Sequence, residues 1–377
     1  MVGRGAPDVA LFMPDFGGGG AERMMTRLAR ALADRGRRVE IVVCAAEGPF
    51  VGQAGDAVRV IDFGGRRVLA ALPAIVAYLR DRRPRAVLVT LDYMSVVVLL
   101  ARWLARVQVR LVVRQANDPT AYRGGSLRDR VAVAALRRLL PTADAVVSGS
   151  RGVAASLRSW TRVPPERLHV VGNPVVDATL AELAEQPVDH PFLVSPGPPV
   201  VLAAGRFTPQ KDFRTLLQAF ASARRRRPLR LIVLGEGPGR PDLEAFVRDQ
   251  NLTDAVSLPG FVGNPFAYMR RSHVFVLSSA WEGLPGVLIQ AMACGCPVVS
   301  TDCPSGPREI LDDGRLGPLV PVGDAGALAD AILSRLDAPR GAEALREAAA
   351  VYAVDRSVAL TEAVLWPTDE RKEGGRP

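Results

Sequence analysis

Lysine is almost absent from this chain. It occurs only at Lys211 and Lys372, although Lys and Arg together number 48. The positive charge is therefore carried by arginine, and a lysine inside a loop stands out. Cysteine is sparse too, at Cys44, Cys294, Cys296 and Cys303. A C-x-C pair followed by one further Cys, with no His nearby, is not a zinc spacing. Buried free thiols in a reducing compartment fit better. No long apolar run is present: the most apolar stretch, residues 96–113, is broken by Arg102, Arg106 and Arg110. It falls short of the roughly 20 apolar residues that a spanning helix needs. The N-terminus lacks the basic-then-apolar profile of a signal peptide. These absences lead us to expect a cytoplasmic protein, with peripheral contact at the inner face of the membrane left open. The arginine run at 224–227 has no interleaved aromatics and no nucleic-acid motif beside it. It reads as a solvated loop after a helix, and no nucleic-acid partner is expected.

What is present points to an enzyme-sized α/β protein. With 377 residues and 48% hydrophobic content, the chain can form two ordinary domains with sizeable cores. The net charge of +9 fits an anionic partner, such as nucleic acid, a phosphate-bearing ligand or an acidic membrane face. A coding bias toward Arg and Ala explains the bulk charge equally well. Strand-like runs at 9–13, 39–44, 58–62, 86–90, 109–113, 145–148 and 168–171 alternate with helical periodicity at 21–35, 69–82, 95–104, 127–140 and 152–160. That alternation predicts a parallel sheet covered on both faces. Prolines then crowd residues 187–199 without a periodic pattern, and the domain boundary is placed there. A second alternating set follows, with strands at 200–204, 229–234, 256–258, 273–277, 297–300 and 320–321. The expected domains are 1–185, 186–350, and a C-terminal helix with a frayed tail at 351–377.

The densest stretch is 279–311, SAWEGLPGVLIQAMACGCPVVSTDCPSGPREIL. It reads as a strand end, a glycine-rich loop, a helix and another strand. Such a loop sets backbone N–H groups and a helix N-terminus at the carboxyl end of a strand, where phosphates are held. Gly205-Arg206-Phe207-Thr208-Pro209-Gln210-Lys211 follows the first strand of the second half. A fork-shaped guanidinium and a point-charge ammonium together suit a diphosphate; the bland alternative is a solvated basic loop. Gly235-Glu236-Gly237 ends the next strand, a turn that lets backbone approach a ligand. In the first half, Gly17–Gly20 after the first strand form a weaker candidate cradle, since a tight turn explains glycines equally well.

Together these motifs resemble the retaining glycosyltransferases of family 4. The resemblance rests on G-R-F-x-x-x-K-D at 205–212, G-E-G at 235–237, E-G-L-P at 282–285, the run 291–311, P-D-F-x-G-G-G-A-E-R at 14–23, and Asn173-Pro174. It implies a GT-B α/β fold, with two doubly wound Rossmann-like domains facing a central cleft: an N-terminal acceptor domain and a C-terminal nucleotide-sugar domain. It also implies roles. Arg206 and Lys211 neutralise the leaving diphosphate of a UDP- or GDP-sugar. Glu282 meets the donor sugar's hydroxyls. Gly205, Gly235, Glu236, Val262 and the segment Gly283, Leu284, Pro285 and Gly286 line the donor. Gln290 stands where the family's E-x7-E motif has its second Glu, on the ribose; a neutral amide accepts more weakly there. Gly18, Gly19, Gly20, Glu22 and Asn117 face the donor phosphate and the acceptor, with Asp92 and Asp118 as further acceptor candidates.

Several members carry a histidine in the loop matching 114–118, and here none is present; His169, His190 and His273 all lie elsewhere. Retention on one face needs no separate base, because the leaving phosphate can take the proton. No metal or other cofactor is expected, since Arg206, Lys211 and helix dipoles supply the countercharge. The segment 126–140 combines Leu127, Val131, Leu136, Leu139 and Leu140 with Arg128, Arg130, Arg137 and Arg138. It reads evenly as a helix on an anionic membrane or as an ordinary helix with Arg outward. The expected activity is hexosyl or N-acetylhexosaminyl transfer to a lipid-linked or envelope glycan. The competing readings are a small soluble acceptor, a GT-B sugar-nucleotide epimerase and, last, a non-catalytic binding protein.

Overall fold

The computed structural model describes residues 5–17, 19–65, 67–118, 127–339 and 341–367, without the side chains of 127–129. The chain divides into two compact units. One comprises residues up to Pro174 together with those from Val354 onward, and the other is Val175–Ala353.

The first unit is built on strands β1 (Val9–Met13), β2 (Val39–Val43), β3 (Arg59–Asp62), β4 (Ala86–Thr90), β5 (Arg110–Gln115), β6 (Ala145–Ser148) and β7 (Leu168–Val170). They pair in parallel in the order β3-β2-β1-β4-β5-β6-β7. Helices α1 (Gly20–Asp34), α2 (Leu72–Arg82), α3 (Asp92–Ala105), α4 (Leu127–Leu139) and α5 (Arg151–Trp160) connect them. Strands β1, β2, β4 and β6 are buried along their whole length, as fits continuous Val/Leu/Ile runs in a parallel sheet. One face packs on Ile75, Leu79, Val98, Leu136 and Leu157.

The second unit opens with α6 (Ala178–Glu185) and α7 (Pro191–Val194). It continues as β8 (Val200–Ala204), α8 (Phe213–Arg226), β9 (Arg230–Leu234), α9 (Arg240–Asp249), β10 (Val256–Gly260), α10 (Pro265–Arg271) and β11 (Val274–Leu277). Then come α11 (Gly286–Ala293), β12 (Val298–Thr301), α12 (Pro307–Ile310), β13 (Leu319–Val320), α13 (Ala325–Asp337) and α14 (Ala342–Ala350). Its strand order is β10-β9-β8-β11-β12-β13. The order reverses between β8 and β11, and in such sheets ligands bind beyond the carboxyl ends of the strands at that point.

The boundaries differ from those expected. The chain divides at 174/175 rather than 185/186, and the last helix, α15 (Val354–Leu365), returns to the first unit. Apolar faces decide both. Leu180 and Ala184 of α6 are buried with Phe266 and Met269 of α10. Val358, Val364 and Leu365 of α15 are buried with Met25, Leu28 and Leu32 of α1. Arg110 Nε also donates to Val364 O at 2.8 Å. The proline-rich stretch is no linker: Asp177 caps α6 and His190 caps α7 through their side chains. The expected tail beyond residue 367 lies outside the described residues.

His190 must be neutral to do this. Its Nδ1 accepts from Phe192 N at 3.1 Å, and Nε2 lies 3.0 Å from Ser257 Oγ. Burial holds its pKa below 6.5. The unfolded chain then binds more protons once pH falls below 6.5, so stability drops from there until the folded pKa is passed. Urea denaturation at pH 7.5 and 5 should show this loss. It should shrink in His190→Asn, which keeps a neutral cap; parallel profiles for the two proteins would refute the assignment.

Candidate active site

At the carboxyl ends of β8 and β11, two loops are joined by one ion pair. Lys211 Nζ lies 2.5 Å from Glu282 Oε1. Ser279 Oγ donates to the same oxygen at 2.6 Å. Glu282 is 5% exposed, so its charge is compensated inside the protein. Its Oε2 takes no hydrogen bond from a described residue and remains an open acceptor. Further bonds fix the loops. Ala280 N donates to Gln210 O, Ser278 Oγ to Lys211 O and Gln210 Nε2 to Trp281 O. Thr301 Oγ1 donates to Ser279 O at 2.6 Å and ties in β12.

The glycines let these loops approach one another. Gly235 has φ +136°, and a Cβ there would stand 1.9 Å from Gly205 O. Gly205 N bonds Leu234 O, and Gly235 N bonds Gly260 O, so the ends of β8, β9 and β10 are stitched side by side. The Lys211 stem crosses Gly205, where an added Cβ would lie 3.1 Å from Cε. Gly306, at φ +85°, lies under the 283–285 loop, and a Cβ there would meet Pro285 Cδ at 2.6 Å. Helix α11 starts at Gly286 behind Pro285, without a side-chain cap.

The remaining second-unit candidates fall as follows. Arg206 is exposed, and its side chain has no ion pair or hydrogen bond among the described residues. Gln290 is buried in α11, and its side chain makes no hydrogen bond to a described residue. Gly283 and Leu284 are buried. Glu236 is occupied: both its oxygens pair with Arg240, at 2.9 and 2.8 Å, while its carbonyl accepts from Phe207 N. Val262 is half-buried after β10. Ser278, Ser279, Thr301 and Gly306 were not picked out by sequence reasoning. The signal was a Ser-Ser pair following an apolar strand.

In the first unit, the β1 loop runs into α1, with Gly19 as N-cap, Gly20 as first residue and Glu22 in the first turn. Gly18 lies outside the described residues. At the end of β5, Gln115 Nε2 donates to Asp92 Oδ1 at 2.8 Å and to Asn117 O at 3.3 Å. Arg114 is buried, and its Nη2 donates to Val171 O and Asn173 Oδ1, both at 2.9 Å. Burial pushes its pKa down to about 10 and raises that of Asp92. A polar Arg-Gln pair at the end of the apolar run 109–113 was the missed signal. Asp118 accepts from Ser156 Oγ. His169 and His273 sit at or beside strands, outside this cluster. All four cysteines are free and buried; burial raises the Cys294 and Cys303 pKa values to about 12.

Two family models match this chain. Glycosyl transferases group 1 covers residues 198–338, and the glycosyl transferase 4-like domain covers residues 19–174. The chain belongs to the family-4-like glycosyltransferases. Its fold is GT-B. The HepE protein of Anabaena, solved with UDP and glucose, superposes with TM-score 0.77 at 20% identity, over 95% of this chain and 98% of that one. Among curated relatives, a Campylobacter jejuni N-acetylgalactosamine-N,N'-diacetylbacillosaminyl-diphospho-undecaprenol 4-alpha-N-acetylgalactosaminyltransferase is 29% identical over 66% of this chain. The lipopolysaccharide core biosynthesis glycosyltransferase LpsE of Rhizobium meliloti is 28% identical over 83% of this chain and 84% of its own length. The alignments to the Campylobacter protein and to two further relatives are shorter, spanning 66%, 62% and 58% of those proteins' own lengths.

Removing one member of the central pair should unfold more than it opens. Lys211→Ala leaves a buried carboxylate held by Ser279 alone and should cost about 3 kcal/mol in urea denaturation. The double variant Lys211→Met/Glu282→Gln removes both charges and should recover most of that loss. An additive double variant would mean that the two side chains are not energetically coupled.

Proposed function

We propose that this chain is a retaining glycosyltransferase. It would move a hexosyl or N-acetylhexosaminyl group from a nucleotide-diphosphate sugar to a hydroxyl of a lipid-linked or envelope glycan. The observation that carries the reading is the Lys211–Glu282–Ser279 cluster at the point where the second sheet's order reverses. The activities of the Campylobacter and Rhizobium relatives support the acceptor class, and the UDP and glucose bound to HepE support a nucleotide-sugar donor.

The chemistry follows from the groups present. Arg206 has no competing partner among the described residues, so its guanidinium is free to fork onto the diphosphate. Lys211, whose charge Glu282 matches, adds further ammonium N–H donors from the same loop, and the uncapped start of α11 adds a partial positive charge. The open Glu282 Oε2 accepts from a donor-sugar hydroxyl. Gln290, whose amide has no partner among the described residues, accepts from the ribose. As the anomeric C–O bond to the diphosphate breaks, the acceptor oxygen bonds to that carbon from the same face. The acceptor's proton passes to the departing phosphate oxygen. Donors aimed at that developing charge supply the catalysis, and no divalent ion is needed.

A thermal-shift panel of UDP, GDP, ADP and dTDP tests the donor. One diphosphate should stabilise selectively, by about 2.7 kcal/mol at a hundred times its Kd; no shift with any of them removes the reading. Arg206→Ala should leave the nucleotide-free protein as stable as wild type while lowering kcat/KM about 10²–10³-fold. EDTA should leave transfer unchanged.

A further inference from the structure

Helix α3 is apolar on every side. Met94, Val97, Val98, Leu99 and Ala101 face the core. Its outward side carries Tyr93, Trp103 and Leu104, with Leu100 half-buried between them and Val96 half-buried against the core. Trp103 is 75% exposed, and Tyr93 and Leu104 are exposed as well. The helix has two charged residues, and both are turned to protein partners: Asp92 accepts from Gln115, and Arg102 bonds Asp144 and Thr142 O. The outward stripe therefore carries no charge over a helix of 14 residues, about 21 Å long. A surface helix with an uncharged outer stripe is not a solvated one.

The surroundings extend this face. Leu69, 67% exposed, sits in the turn before α2 that touches α3. Val131, 61% exposed, is on α4, which packs beside α3. Around the apolar stripe stand exposed arginines. Arg80 donates to the carbonyls of Leu104 and Ala105 at the end of α3. Arg106 follows directly, and α4 presents Arg130, Arg137 and Arg138. None of these five has an ion pair among the described residues. The acidic residues nearby in the chain are Asp81 on α2, Asp92, which accepts from Gln115, Asp129 beside Arg130 in α4, and Asp144, which Arg102 holds.

We infer that the outward face of α3, rimmed by these arginines, docks on an anionic phospholipid bilayer. Trp and Tyr are the side chains that settle at a headgroup boundary, and an apolar stripe flanked by arginine suits acidic lipid. A second copy of the chain fits worse, because a two-fold contact would bring the arginine rims together. This refines the expectation drawn from the 126–140 segment. In α4, Leu136 is buried and faces the sheet while Arg130, Arg137 and Arg138 are exposed, so the insertion surface lies on its neighbour. The inference gains its biological sense from the proposed lipid-linked acceptor.

The test needs neither donor nor acceptor, so its failure is separate from failure of the transfer reading. Wild-type protein is sedimented with phosphatidylcholine vesicles, with and without phosphatidylglycerol. It should bind only the phosphatidylglycerol vesicles, and less at high salt. Trp103→Glu/Leu104→Glu should bind at least about tenfold more weakly. Arg137→Glu/Arg138→Glu should lose about fivefold or more per arginine. Trp103→Phe should still bind but lose the blue shift of tryptophan emission that wild type shows on vesicles. No binding by wild type, wild-type binding by the Glu pair, a blue shift kept by Trp103→Phe, or a dimer that the Glu pair dissociates would each overturn the assignment.

Discussion

The second unit turns on a single buried charge. Glu282 ends a loop that must lie near the end of β11, and its carboxylate is almost fully removed from water. A buried carboxylate without a countercharge is severely destabilising, so the Lys211 ammonium is a condition of the loop's position. This also accounts for a lysine in a chain that elsewhere uses arginine. The stem has to cross Gly205 closely, and a single ammonium has to share one carboxylate oxygen with Ser279. A flexible stem ending in a point charge fits where a planar fork would need more room. The same pair leaves the other carboxylate oxygen free, so the interaction that holds the loop also sets the direction of its open acceptor.

The first unit solves a similar problem with different groups. The end of β5 is tied to the start of α3 through Gln115 and Asp92, and to the chain leaving β7 through Arg114 and Asn173. Arg114 is the less usual element, since its guanidinium is buried against a carbonyl and an amide oxygen. Among the described residues its hydrogen-bond partners are dipoles and not carboxylates, and burial depresses its pKa. The cost is carried by a dense local network that fixes where residues 115–117 and 173–174 sit.

Much of this was legible in the sequence. Strand–helix alternation predicted both sheets, because buried parallel strands must be continuous apolar runs and few other patterns produce them. The loops carrying Lys211 and Glu282 were legible because glycine and charge coincide at strand ends. The division of the chain was less so. Proline density at 187–199 resembles a linker, yet Pro191 starts a helix that His190 caps, and Leu180 and Ala184 already have a partner in α10. That α15 returns to the first unit depends on contacts hundreds of residues apart, such as Arg35 and Arg37 with Glu362. Glu236 shows the limit at a site: its position at a strand end was readable, but its capture by Arg240 one helical turn on was not.

The bulk charge of +9 says less than its distribution. The arginine run, expected as a loop after a helix, forms the last turn of α8, and it is neutralised locally. Arg224 pairs with Asp254, Arg226 with Asp330 and Arg227 with Asp337. Arg308 and Arg315 likewise meet Asp302 and Asp312. Exposed pairs of this kind add little stability, but they cancel the field that a distant anion would feel. The arginines bordering α3 have no such partners among the described residues, and their field is left standing beside an uncharged helix face. Two surfaces with comparable arginine content therefore differ in kind. One is charge-balanced and solvated, and the other combines an unbalanced positive rim with apolar side chains that water solvates poorly.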